Sequence, residues 1–227
     1  MTEHLLDQPV LAALTTSHAG FARGTGGAWR YDPLISPFVA ARDDDGDTLR
    51  NLTDLVSPGE TVAMVRREPI LVPPEMVTVS AARVVQMVAS RNLSAPEDER
   101  LVPLGAEHEE AAFALATLTR PGPFAPHTIR MGRFWGIFEE GRLVAMAGER
   151  LRQPGWAEMS AVCVHPDQRG KGLARLLSTR VTADMQQRGE VPYLHCLETN
   201  EAAIRLYETL GYRIRTTLNV VAAQRPA

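Results

Sequence analysis

Lysine is nearly absent from this 227-residue chain: of 24 basic residues only Lys171 is a lysine, and every other cation is arginine. The formal charge is −3, with no basic arm and no interleaving of aromatic and basic residues. A nucleic-acid partner is therefore not expected. Cysteine is scarce too. Cys163 and Cys196 lie in apolar, strand-like runs, which reads as buried thiols in a reducing compartment and not as a disulfide framework. No apolar run approaches the length that crosses a bilayer, and the first residues, MTEHLLDQPV, lack a basic-then-apolar signal pattern. A cytoplasmic protein without membrane contact is expected. The six histidines and the acids show no metal-ligand spacing, so no metal is expected. Three phosphate or nucleophile motifs are also missing: GxGxxG, the Walker A loop and a GxSxG elbow.

What is present becomes clearer along the chain. Leu5, Leu6, Val10, Leu11 and Leu14 suggest a short helix limited by Pro9. Ala28–Tyr31, Phe38–Ala41 and Glu60–Val65 read as strands, and the acidic run Asp43–Asp47 as a solvated hairpin. Leu49–Val56 and Val77–Ala89 carry ambiguous spacing. A polar stretch at residues 93–100 divides the chain into 1–95 and 96–227. In the second half, Leu101–Leu104 reads as a strand and Glu107–Thr119 as a helix, and three antiparallel strands end near Val164. A helix to about Gln187, the strand Val191–Leu197, the helix Glu201–Leu210 and the strand Tyr212–Ala222 complete it. The order β-α-β-β-β-α-β-α-β describes a mixed sheet covered by helices, an α/β or α+β fold.

The stretch Glu158–Arg180, EMSAVCVHPDQRGKGLARLLSTR, organises the rest. A strand runs into a turn at His165, Pro166 and Asp167, and QRGKG then leads into a helix marked by Leu173, Leu176, Leu177 and Val181. A helix start leaves backbone N–H groups without partners and carries the positive end of the helix dipole. Preceded by two glycines, it suits a phosphate or pyrophosphate. Read from the residues alone, it is an anion site following a strand.

VCVHPDQRGKGLA, Val162–Ala174, resembles the coenzyme A loop of the GCN5-related N-acetyltransferases. That family's Arg/Gln-x-x-Gly-x-Gly/Ala pattern is met by Arg169, Gly172 and Ala174. Asn200, Ala203, Tyr207, Gly211 and Tyr212 in ETNEAAIRLYETLGY resemble the family's second signature. The two together resemble the FR47-like subgroup over roughly residues 101–221. The resemblance implies a mostly antiparallel central sheet split between two parallel strands, with helices on both faces. Residues 1–95 would be an extension or a degenerate second lobe of the same kind.

The resemblance also implies acetyl-CoA as cofactor. Its pyrophosphate would lie on the amides of Arg169, Gly170, Lys171, Gly172, Leu173 and Ala174, its pantetheine arm along Val162, Cys163 and Val164, with Asn200 and Tyr207 nearby. Tyr207 would be the general acid for the departing sulfur. Glu158, eleven positions before Arg169, would be the general base, its pKa raised by burial beside Trp156; His165 and His195 are alternatives. The implied activity is acetyl transfer to the amine of a small or amino-acid-like acceptor. A non-enzymatic acyl-CoA-binding or interaction module on the same fold is the competing class, and a homodimer is left open. Neither the acceptor nor the acyl length is legible.

Overall fold

The computed structural model describes residues 4–227. Its elements are α1 (Pro9–Leu14), β1 (Ala28–Arg30), β2 (Val39–Ala41), α2 (Gly46–Asp54), β3 (Thr61–Arg66), β4 (Val77–Ala89), β5 (Val102–Leu104), α3 (Glu109–Thr119), β6 (Phe134–Glu139), β7 (Arg142–Gln153), β8 (Trp156–Val164), α4 (Leu173–Gln187), β9 (Val191–Leu197), α5 (Glu201–Thr209) and β10 (Tyr212–Gln224). Eight strands form one sheet in the order β3-β10-β4-β9-β8-β7-β6-β5, and β1 pairs with β2 beside it. Within the large sheet, among the described residues, only β8 and β9 run parallel.

Helices cover both faces because β7 alternates. Ala145 and Ala147 pack with Leu173, Leu177, Val181 and Met185 of α4. Met146 packs instead with Ala112, Leu115 and Ala116 of α3. Leu177 is completely buried, a contribution of roughly 2 kcal/mol from transfer alone. Gly189, at φ +76°, closes α4 as expected of a left-handed residue past a helix end. No helix among the described residues is long and apolar enough to cross a membrane.

The first half departs from the sequence reading at several points. Asp43–Asp47 is not a hairpin: Asp45 accepts the Asp47 N–H at 2.9 Å and caps α2, so the acids sit at a helix N-terminus. The ambiguous Val77–Ala89 is a long strand, paired on one side with β10 and on the other with β9. β3 and β4, which precede the boundary expected near residue 95, lie in the same sheet as β5–β10. Pro9, expected to limit a helix, is instead its first residue, where a missing N–H is harmless.

Candidate active site

The parallel pairing of β8 with β9 runs from Trp156↔Val191 to Met159↔Leu194 and stops. Beyond it β9 stays with β4 up to Val84↔Leu197, while β8 follows β7. A bulge sharpens the divergence. Ser160 opposes Gly148 and Cys163 opposes Met146, so Ala161 and Val162 share the place of one partner. Ala161 holds φ +54°, a region a residue with a Cβ enters only where the surroundings enforce it. The opened edge of β8 and the end of β9 border a cavity of about 720 Å³ that reaches the start of α4 and the face of α5.

At the α4 end of this cavity the turn of Pro166–Gln168 leads through Gly170 (φ +78°) to Gly172 (φ +74°), which caps the helix without a side-chain bond. A Cβ at either glycine would meet nothing within 4 Å, so the space before both is open. The Arg169 N–H, expected among the pyrophosphate donors, is instead taken by the Pro166 carbonyl at 3.3 Å, and the next N–H to bond a backbone carbonyl is that of Leu176, to Gly172. Those of Gly170 through Arg175 have no acceptor among the described residues. A run of free amides at the positive end of a fifteen-residue helix is a fitting seat for a diphosphate. Arg169 and Arg175 line the same space, Arg175 donating to Thr209 at 2.6 Å and Arg169 making no ion pair among the described residues. Lys171 does not line the cavity. Its ammonium bonds Gln168 and lies 3.9 Å from Glu139. Of the two expected cations, only Arg169 therefore has its side chain at the cavity.

Val162, Cys163 and Val164 on β8, with Leu173, Ala174, Asn200 and Tyr207, all border the cavity. Asn200 also caps α5 by accepting the Ala203 N–H at 3.2 Å. Tyr207 is 8 % exposed and its ring stands edge-on to Tyr212. Its hydroxyl has no hydrogen-bond partner among the described residues, and burial, with Cys196 nearby, raises the phenol well above its ordinary pKa. The thiols behave as buried hydrophobes: burial pushes Cys163 up to about 11 and also raises Cys196.

Glu158 departs from expectation. It is fully buried and does not line the cavity. Burial alone would raise its pKa. The Arg150 charge and hydrogen bonds from His195 and Arg150 outweigh that and hold the carboxyl at about 2, so the raised value expected of a base is overturned. Arg150 donates through Nε at 2.9 Å and Nη2 at 2.7 Å, and His195 Nδ1 lies at 2.7 Å. Gln86 fixes the imidazole tautomer. Its Oε1 accepts from Arg215 at 2.8 Å and its Nε2 donates to the Leu6 carbonyl at 2.9 Å and meets His195 Nε2 at 3.0 Å. His195 is thus the Nδ1–H form, donating to Glu158. Both Arg150 and His195 line the cavity in front of the carboxylate they hold. His165 lies instead in the turn before α4, accepting the Asp167 N–H.

Sequence reasoning missed Arg150 and Arg175; it expected the loop from Arg120 and residues of the first half to shape the acceptor site without naming the walls, which are Phe38, Val65, Ala82 and Val84. Arg150 had a readable signal: in a hairpin turning at Gln153–Trp156, a residue near 150 falls opposite Glu158. The walls had none, since they depend on β3 and β4 joining a sheet remote in sequence.

Residues 134–221 match the family described as FR47-like protein. A solved structure from Novosphingobium aromaticivorans, assigned to the GNAT family, is 38% identical with a TM-score of 0.92, covering 99% of this chain and 100% of that one. A GCN5-related N-acetyltransferase from Kribbella flavida shares the fold at 19% identity and TM-score 0.61, over 96% and 95% of the two chains. Among curated proteins, a mycothiol acetyltransferase from Thermobispora bispora is 42% identical over 65 residues. That match takes in 28% of this chain and only 22% of the curated relative.

Proposed function

The chain belongs to the GCN5-related N-acetyltransferase (GNAT) family, and from that premise we propose that it moves an acetyl group from acetyl-CoA to the amine of a small acceptor. The carrying observation is that Gly170 and Gly172–Arg175, whose amides have no acceptor among the described residues, border the same cavity as Tyr207, whose hydroxyl has no partner among them either. The acetyl transfer named for the Thermobispora bispora relative supports the same chemistry. A cytoplasmic setting, with Cys163 and Cys196 kept as thiols, fits this reading.

Bound acetyl-CoA would supply a thioester carbonyl open to attack by an amine. The amides from Gly170 to Arg175 would hold its diphosphate, with Arg169 and Arg175 adding charge. The edge of Val162–Val164, released from β9 by the split, offers strand-like hydrogen bonding to an extended amide-bearing arm. Tyr207 keeps its proton at Oη for a departing sulfur, and the proton that the amine loses on attack passes to bulk water. Glu158 acts one layer back, fixing the tautomer of His195 and the fork of Arg150, and is a positioning residue in this scheme.

Acetyl-CoA with an amine library, followed by release of free CoA, tests the reading; failure of acetyl-CoA to bind in calorimetry, or tighter binding of ATP, would remove it. Gly172→Ala should raise the Kd for acetyl-CoA about tenfold, because a Cβ in the left-handed region costs roughly 1–2 kcal/mol. Its thermal midpoint with and without acetyl-CoA checks this: the ligand-induced rise should shrink.

A further inference from the structure

Among the described residues, no aspartate or glutamate lines the cavity, whereas four arginines do: Arg120, Arg150, Arg169 and Arg175. Arg169 and Arg175 stand at the start of α4, where the diphosphate seat lies, and Arg120 ends α3, which packs against Cys163 of β8. Arg150 stands apart from them, on β7. It shares its part of the cavity with Phe38, Val65, Val84, Leu151 and Val220, apolar residues drawn largely from the first half and β10.

Arg150 is built to present one donor group. Nε and Nη2 are both taken by Glu158, which locks the fork, and the guanidinium lies 4.9 Å from the centre of the Phe38 ring. Nη1 makes no hydrogen bond among the described residues, yet it is not among the enclosed polar atoms that lack a partner. It is therefore open to the cavity. An arginine 8 % exposed, with one nitrogen unsatisfied and apolar walls around it, calls for an acceptor oxygen from the ligand. The oxygen that suits it best is anionic, since an N–H donated from guanidinium to carboxylate is among the stronger protein hydrogen bonds.

We propose that the acceptor is an amino carboxylate with an apolar side chain, its carboxylate held by Arg150 Nη1 and its side chain lying against Phe38, Val65, Val84, Leu151 and Val220. The assignment rests on the acetyltransferase reading and narrows its acceptor. The same lining disfavours polyamines and other multiply charged cations. They would bring uncompensated positive charge to a wall that offers four arginines and no carboxylate.

The test uses the wild-type chain with acetyl-CoA and a panel of apolar L-amino acids, each beside its amide and its decarboxylated amine, with spermidine as the polycation. The acids should exceed their amides and decarboxylated amines by about tenfold or more in kcat/KM, as loss of one charge-assisted hydrogen bond implies. Calorimetry should show the acids, and not the amides, binding the protein. The double variant Arg150→Met with Glu158→Gln removes both charges of the pair together. It should bring acid and amide within about twofold while leaving the acetyl-CoA Kd in place. Amides or simple amines used as well as acids, spermidine as the best acceptor, or an acid preference that survives the double variant would each overturn the proposal. In those cases acetyl-CoA still binds and transfer is still seen. If acetyl-CoA itself does not bind, the acetyltransferase reading fails and the acceptor assignment falls with it.

Discussion

Glu158→Gln is expected to lower the stability of the fold by about 3–5 kcal/mol, the range seen when one member of a buried ion pair is removed and its partner is left without compensation. The carboxylate is completely enclosed and accepts from Arg150 and His195 and from the Leu151 N–H at 3.3 Å. A glutamine fills the volume but brings no charge for Arg150, and its amide turns a donor toward two donors. Chemical denaturation of the variant beside Arg150→Met/Glu158→Gln gives the measurement. The double variant should recover much of the loss, because no unpaired charge remains. A single-variant loss below about 1 kcal/mol, the value of an exposed pair, would show that the cluster is solvated and the proposed positioning role is wrong. The same group sets an acid limit. Its folded pKa of about 2 lies below the ordinary carboxyl value of 4.5, so the folded state binds the proton more weakly than the unfolded chain does. Its stabilisation is fully present above pH 4.5, declines as pH falls below that, and is gone below about 2. Glu149, whose pKa is raised mainly by burial, works in the opposite sense and should be compared through Glu149→Gln.

The contrast between the two halves of the chain shows what a single sequence can carry. The second half was legible because its elements are local. Leu173, Leu177 and Val181 recur at helical spacing, Gly189 ends α4 and Asn200 begins α5, and each signal lies within the element it marks. The free amides before α4 were legible for the same reason, as two glycines leading into an apolar helical pattern. β4 was not. Its first half is exposed and only Val84–Met87 are buried, so it shows neither clean alternation nor a continuous apolar run. What makes it a strand is pairing with β10, more than a hundred residues away in the chain. The Asp43–Asp47 run was misread because a helix cap and a hairpin turn draw on the same residues. Only a buried Leu49 and Leu52 one turn later distinguish them. Glu158 failed for a third reason: burial was foreseen, but the charge that reverses its effect arrives from Arg150 across the hairpin.

Tyr207→Phe should reduce kcat by about 10²- to 10³-fold, the usual loss when a positioned proton donor is deleted, with the acetyl-CoA Kd changed by less than about twofold. The prediction is sharp because the structure separates ring from hydroxyl. The ring belongs to the core beside Leu210 and Tyr212, and phenylalanine preserves it. The hydroxyl has no partner in the protein among the described residues, so deleting it breaks no internal bond, and folding stability should stay within about 0.5 kcal/mol. A defect confined to turnover then has one explanation, the lost proton at Oη. Burial raises that phenol far above neutrality, so it stays protonated through the working range and its own ionisation should leave no limb on the kcat profile below about pH 10. Product analysis under single-turnover conditions gives the decisive readout, since it reports transfer without product release. Equal single-turnover rates in wild type and Tyr207→Phe would take the phenol out of the chemistry.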